Sequence, residues 1–392
     1  MALLDPPRTG PPPVVSLAAR QVRRRTGGIR PARVFDLVGA GIAALCVAWL
    51  VFGRVAALSG PLGFVVVAFV VFVVVHAVLV SLHEDRIATR DAIMTTLLSA
   101  FGFVAFGVLA LVVGFTLWRG RSALVHSNFY TQDMSKAGPL APLTVGGAGH
   151  AVVGTLWMIG IALVLSVPLG LVCAVYLDQS RTRFARLVRT IVEAMTALPT
   201  ILAGLFIYAA WILTLGYQQS GLAAALALSI MMLPYMIRTS DLVLRLVPQS
   251  LREASDALGA PTWRTVWHVV LPTARSGLTT AVILATARGI GEASPVLLTA
   301  GFTSYLNLDP VHGPMVSLPL LALELVASGQ PSYVARGFGC AALLLLVILT
   351  LFAVARIIGG YGPGRQSPRQ QRRAARASAR DVARYAAQGG VR

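Results

Sequence analysis

The chain has 392 residues, with 33 Lys and Arg against 15 Asp and Glu and a formal net charge of +18. Only 12% of residues are charged, while 56% are hydrophobic and the mean hydropathy is +0.75. A soluble domain could not hide that much apolar surface. A nucleic-acid binder would spread its charge over a polar surface. Three cysteines, Cys46, Cys173 and Cys340, each inside an apolar run, exclude a disulfide scaffold. What remains is an all-α polytopic membrane protein.

Residues 1–33 are rich in Pro and Arg and are expected to be a disordered basic cytoplasmic segment near the membrane surface. Eight apolar runs follow, at about 34–53, 61–82, 92–118, 149–177, 198–216, 221–238, 276–299 and 337–358, each near the ~20 residues that a ~30 Å bilayer core requires. The first has no signal-peptide cleavage pattern and is expected to be retained. The fifth and sixth, separated by Gly216 to Ser220, read as a tight helical hairpin. With the N-terminus inside, the cytoplasmic segments carry 26 basic residues and the external ones five. That bias predicts eight spans with both termini in the cytoplasm and anionic lipid as a partner. Arg outnumbers Lys 32 to 1, which points to a GC-rich bacterial genome; the expected location is the bacterial inner membrane.

Between the fourth and fifth spans, Phe184, Leu187, Val188, Ile191 and Met195 recur at helical spacing, with Arg183, Arg186 and Arg189 off that stripe. This predicts an amphipathic helix in the cytoplasmic interface, either a partner dock or a plain elbow between spans. The connection 238–275 is too long for a bundle turn. It is expected to hold two short helices broken at Gly259-Ala260-Pro261. After 358, a glycine-rich stop leads into a basic tail, 359–392.

The long connection reads Glu253-Ala254-Ser255, then Gly259, then Val269-Val270-Leu271-Pro272. Small residues at Ala254, Ser255 and Ala257 let a short helix sit close to another protein, and Gly259 frees the backbone where that helix ends. The spacing resembles the EAA loop of ATP-binding-cassette importer permeases, with Ser255 and Val269 as departures. The run Leu246 to Ala254 resembles more closely the phosphate-importer permeases of the PstA type. The resemblance implies that Glu253, Ala254, Ser255, Gly259, Leu271 and Pro272 form an ATPase-coupling loop.

The seventh run contains Ala287-Arg288-Gly289-Ile290-Gly291-Glu292-Ala293-Ser294-Pro295. A charge at a helix centre costs roughly 2.5–3.5 kcal/mol on insertion scales, so such residues face a bundle interior or water. Arg288 and Glu292, at i and i+4, are expected on one helical face. Gly289 and Gly291 permit close approach of a helix or ligand. Two roles fit the pair. The Arg fork suits phosphate oxygens, or the ion pair fixes helix packing. The run again resembles the phosphate permeases, which implies a substrate path through Arg288, Glu292, Gly289, Gly291 and Ser294.

The resemblance covers roughly 95–358 and implies a six-helix type I importer core at 92–358, preceded by an extra transmembrane hairpin at 34–88. It implies a permease subunit of an ATP-driven phosphate importer, working with a second permease, two ATPase copies and an extracytoplasmic phosphate-binding protein. No Walker motif, metal-ligand cluster or cofactor motif is present, so ATP hydrolysis is expected in a partner. The alternatives are a permease for another oxyanion, a proton-coupled secondary transporter using Glu292, or a membrane sensor for phosphate.

Overall fold

A computed structural model describes residues 31–55, 60–83, 85–359, 373 and 375–380. The N-terminal segment 1–30 and most of the tail lie outside the described residues. Every regular element among them is helical. The chain divides into two units, Met1–Leu109 and Ala110–Arg392.

The first unit is built on α1 (Pro31–Leu50) and α2 (Pro61–His83). Ala40, Ala44 and Ala48 recur every fourth residue and are buried. Such small side chains let two apolar helices approach closely. The ring of His76 stacks on that of Phe72 one turn away, with centroids 5.9 Å apart. Most of the remaining apolar surface of this pair is open, as expected of a lipid-facing hairpin.

Helix α3 (Arg86–Leu124) runs for 39 residues, about 58 Å at 1.5 Å per residue. It is far longer than the predicted 92–118. Its polar ends, Arg86 to Asp91 and Arg119 to Arg121, continue the helix because nothing in them stops it. There is no proline or paired glycine at either end.

The second unit continues with α4 (Asn128–Thr131), α5 (Gly149–Gln179), α6 (Arg183–Thr196), α7 (Thr200–Ile207) and α8 (Gly221–Arg245). Its centre is the packing of α5 along α8. Ala151, Met158 and Ala162 on one side and Ala224, Leu228 and Met232 on the other share one buried cluster. A Cβ on Gly170 would come within 3.1 Å of Met236, so the glycine sets how near the two helices lie.

The expected interfacial helix is α6, capped by the Thr182 hydroxyl, which accepts from the Ala185 N–H. It meets the following α7 segment at a bend of 102°. The fifth run therefore forms only Thr200–Thr214, α7 plus a π-helical end (Tyr208–Thr214). The predicted hairpin is present. Gly216 takes φ +74°, and Ser220 then caps α8.

Next come α9 (Gln249–Ala257), α10 (Thr262–Thr265), a π-turn (Val266–Val270), α11 (Leu271–Ile290), α12 (Ser294–Thr299), α13 (Leu318–Ala327) and α14 (Pro331–Gly359). From Thr262 to Ile290 the chain is one continuous apolar helix. The π-turn sits where Pro272 cannot donate to the carbonyl four residues back, and a widened turn accommodates that missing bond.

Two further boundaries differ from the expectation. The seventh run is broken at Gly291 and is not continuous over 276–299. Gly289 and Gly291 each cost a helix about 1 kcal/mol relative to Ala, and Pro295 has no N–H for the Gly291 carbonyl. The eighth helix starts at Pro331, so Arg336 lies within it and is not in an external loop. In total, seven described helices are long and apolar enough to cross a membrane, or eight if the bent α6–α7 pair forms one span.

Candidate functional site

Two regions hold the chemistry singled out in the sequence, and they are the two ends of the continuous helix Thr262–Ile290. At one end is the α9–α10 connection. Gly259 takes φ +72° and donates to the Asp256 carbonyl at 2.9 Å, while Ala260 donates to Ser255 at 3.2 Å. These two bonds form a Schellman stop, whose left-handed residue glycine adopts without a Cβ penalty.

The two sides of α9 differ. Glu253, Ala254 and Ala257 are exposed, with Leu258 beyond them 88% exposed. Trp263 and Trp267 are also open. Ser255 does not share this open side. Its hydroxyl is 2.8 Å from that of Thr265 and ties α9 to α10. Val270 is buried against Ala174, Leu244 and Ala274, with Leu271 partly buried beside them, and Pro272 is exposed at the start of α11.

Sequence reasoning missed what anchors α9. Arg252 reaches Asp178 at the end of α5 with both guanidinium nitrogens, at 2.9 and 3.3 Å, and donates to the Leu244 carbonyl at 3.0 Å. The two side chains are 16% and 6% exposed. A second cluster nearby joins Asp241 to Arg245 at 2.9 Å and to Arg189 at 3.8 Å.

The other end carries Arg288 and Glu292. Arg288 lies in the last turn of α11, with its Nη2 3.9 Å from Glu292 Oε1. That is beyond hydrogen-bond distance. Because α11 ends at Ile290, Glu292 sits in the break and not one turn along a helical face. The Arg288 side chain is 48% exposed and Glu292 20%. The guanidinium carbon of Arg288 lies 5.5 Å from the ring centroid of Tyr235 on α8, within reach of a cation–π attraction.

The two glycines divide the roles expected of them. Gly289 is buried, and a Cβ there would come within 2.5 Å of the Met232 sulfur. Gly291 is exposed, with no close neighbour, as is Ser294. Arg288, Gly291 and Ser294 therefore share open surface at the helix break, while Gly289 serves the packing of α11 on α8. Gly204 of α7 holds the far side of the break, since a Cβ there would collide with the Pro295 backbone at 2.6 Å.

The opposite ends of α5 and α14 are closed by a folded cap that periodicity could not reveal. Arg336 is 1% exposed and donates to the carbonyls of Pro142 and Val145 at 2.7 and 2.8 Å. Asn128 donates to Leu143 and Gly146. Asp133 accepts from the Ser135 hydroxyl at 2.6 Å and from the Leu306 N–H at 3.1 Å. The Ser135 hydroxyl foremost, with the backbone N–H groups, holds its carboxyl below the ordinary carboxylate value. No cluster of metal-ligating side chains occurs among the described residues.

Residues 166–361 match the family model described as binding-protein-dependent transport system inner membrane component. The chain is 40% identical over 274 residues to phosphate transport system permease protein PstA 1 of Mycobacterium tuberculosis (strain ATCC 25618 / H37Rv), covering 69% of this chain and 88% of that one. It is 36% identical over 277 residues to PstA of Mycobacterium leprae, covering 69% and 90%. Among solved structures it is similar to the MetNI methionine ABC transporter in inward-facing form, at 20% identity and a TM-score of 0.43, covering 54% of this chain and 91% of that one. The chain is a multi-pass membrane protein that belongs to the family of binding-protein-dependent transport system inner membrane components, on its PstA-type branch.

Proposed function

We propose that this chain is the permease subunit of an ATP-driven inorganic phosphate importer. The observation that carries the proposal is the continuous helix Thr262–Ile290. It joins a glycine-terminated exposed helix, suited to docking, to an open arginine at the helix break. The 40% identity to phosphate transport permeases names the substrate class.

In this function α9 is the coupling helix. Glu253, Ala254 and the turn at Gly259 meet an ATPase subunit, with Ser255 bracing the helix from behind. Leu271 and Pro272 begin the segment that carries movement inward. Arg288, Glu292, Gly291 and Ser294 line the substrate path, and Gly289 sets the helix spacing beneath it. Hydrolysis belongs to two copies of a separate ATPase. A second permease completes the path, and an extracytoplasmic binding protein delivers phosphate. The permease domain spans 92–358, and the hairpin 34–88 is an addition to it.

The direct test is ATP-dependent phosphate uptake by the reconstituted complex. Glu253→Lys or Gly259→Leu should leave the chain in the membrane while the ATPase no longer co-purifies. Gly259→Leu forces a branched side chain into the left-handed region, a strain of about 1–2 kcal/mol. An ATPase that stays bound with normal transport would refute the coupling role.

We assign both termini to the cytoplasm; the support is the distribution of basic residues, 26 inside against four outside once Arg336 is counted within its helix. A reporter at Asn128 should then be accessible from outside and one at Thr182 only from inside. The reverse pattern at either position overturns this orientation.

A further inference from the structure

Behind the exposed side of α9 lies a cleft of about 680 Å³ bounded by α5, α6, α8, α9 and the start of α10. Five arginines line it, Arg181, Arg186, Arg189, Arg245 and Arg252. The acids in and behind it are Asp178, Asp241 and Asp256. Asp178 is taken by Arg252, and Asp241 by Arg245 with Arg189 further off. The guanidinium groups of Arg181 and Arg186 have no acidic or hydrogen-bond partner among the described residues, and the buried Nε of Arg189 and of Arg252 has no acceptor; on the acidic side the buried Oδ1 of Asp241 and the exposed Asp256 are also unpaired. Guanidinium groups only donate. The cleft is therefore a concave, donor-rich set of groups with a surplus of two positive charges, and its unused acids do not reach the unused guanidinium groups.

We propose that this cleft binds a phosphate group, either of an anionic lipid headgroup or of free phosphate, at the root of α9. Arginine's planar fork matches phosphate oxygens in pairs. A positive residue that only fixes topology needs no cavity. Here four such residues besides the paired Arg252 converge from α6, its leading turn and α8 on one volume.

Phe184, Leu187 and Ile191 on α6 are 62%, 55% and 49% exposed. Acyl chains would lie against that surface, which brings headgroups to the mouth of the cleft. A bound phosphate would bridge α6 and α8 to the helix that Arg252 already ties to α5. Only the side of the membrane rests on the orientation proposed above; the binding chemistry does not.

The test uses the full chain with its partner subunits in lipid discs, without ATP, and reads the unfolding midpoint. In one arm, discs of phosphatidylcholine are compared with discs containing phosphatidylglycerol. In the other, inorganic phosphate is titrated into phosphatidylcholine discs. One arm should raise the midpoint by about 2–5 °C, and that arm identifies the source.

Arg181→Gln with Arg186→Gln should abolish the rise. Arg183→Gln, which removes one positive charge from α6 outside the cleft and so matches Arg186→Gln, should keep it. If the double variant does not assemble, Arg186→Gln alone, at an exposed helix position, should reduce the apparent affinity at least threefold. No rise in either arm overturns the proposal. So does a rise that survives in the arginine variants, which would place the phosphate elsewhere, or one lost equally in Arg183→Gln. Phosphate uptake by the same preparation is read separately, so failure of the cleft leaves the transport function standing or falling alone.

Discussion

Arg288→Gln is expected to reduce phosphate uptake to background while the complex still assembles and retains its ATPase. The reason lies in the geometry of the pair. Arg288 and Glu292 are 3.9 Å apart and the arginine is nearly half exposed. A pair whose task was to hold two helices together would be short and hidden, and the loss of one partner would then destabilise the fold by about 3–5 kcal/mol. Here the guanidinium fork is open, with the Tyr235 ring beside it. Arg288→Lys keeps the charge but not the fork and should retain partial uptake. The measurement that separates transport from packing is uptake per assembled complex in Arg288→Gln combined with Glu292→Gln. Recovery of uptake there would make the pair a packing device and remove the residue-level case for phosphate.

Arg252→Ala should have the largest effect on stability. It strips Asp178, 6% exposed, of its bidentate partner. An uncompensated buried carboxylate is expected to cost about 3–5 kcal/mol, visible as a lowered unfolding midpoint and poor recovery of the complex. Asp178→Asn combined with Arg252→Gln replaces the ion pair with neutral groups of nearly the same shape and should restore most of that loss. The double variant should also show whether the tie matters for coupling. ATP hydrolysis that no longer responds to transport, in a stable protein, would assign Arg252 to transmission. A midpoint unchanged by Arg252→Ala would show that the pair contributes nothing to the fold.

What could be read from the chain beforehand depended on how local its cause was. Gly259 followed by Pro261 announces a helix stop within a few residues, and the stop is there with both of its hydrogen bonds. The spans were legible because each is a continuous apolar run, and the α6 elbow because its stripe repeats within 14 residues. The break at Gly291 has its cause in composition, two glycines and Pro295, but the i, i+4 spacing of Arg288 and Glu292 by itself predicts one helical face. Arg252 and Asp178 are 74 residues apart in sequence, and no periodicity links them. Arg336 looked like an ordinary external arginine. Only the folded cap supplies the carbonyls that let it be buried. Charges that end up hidden by distant partners are what single-sequence patterns cannot show, and here they anchor α9 and the cap.

The helix from Thr262 to Ile290 has 29 residues, about 44 Å of rod at 1.5 Å each. Each residue in it also advances the azimuth of every later side chain by about 100°. An insertion or deletion of one residue between Pro272 and Arg288 would therefore swing the guanidinium roughly a quarter-turn away from Tyr235 and the open side of the break, even if every atom of both ends were preserved. The number of residues between the two sites is thus part of their chemistry. Point substitutions along the exposed side of this rod can accumulate in descendants of this sequence, while changes of length cannot.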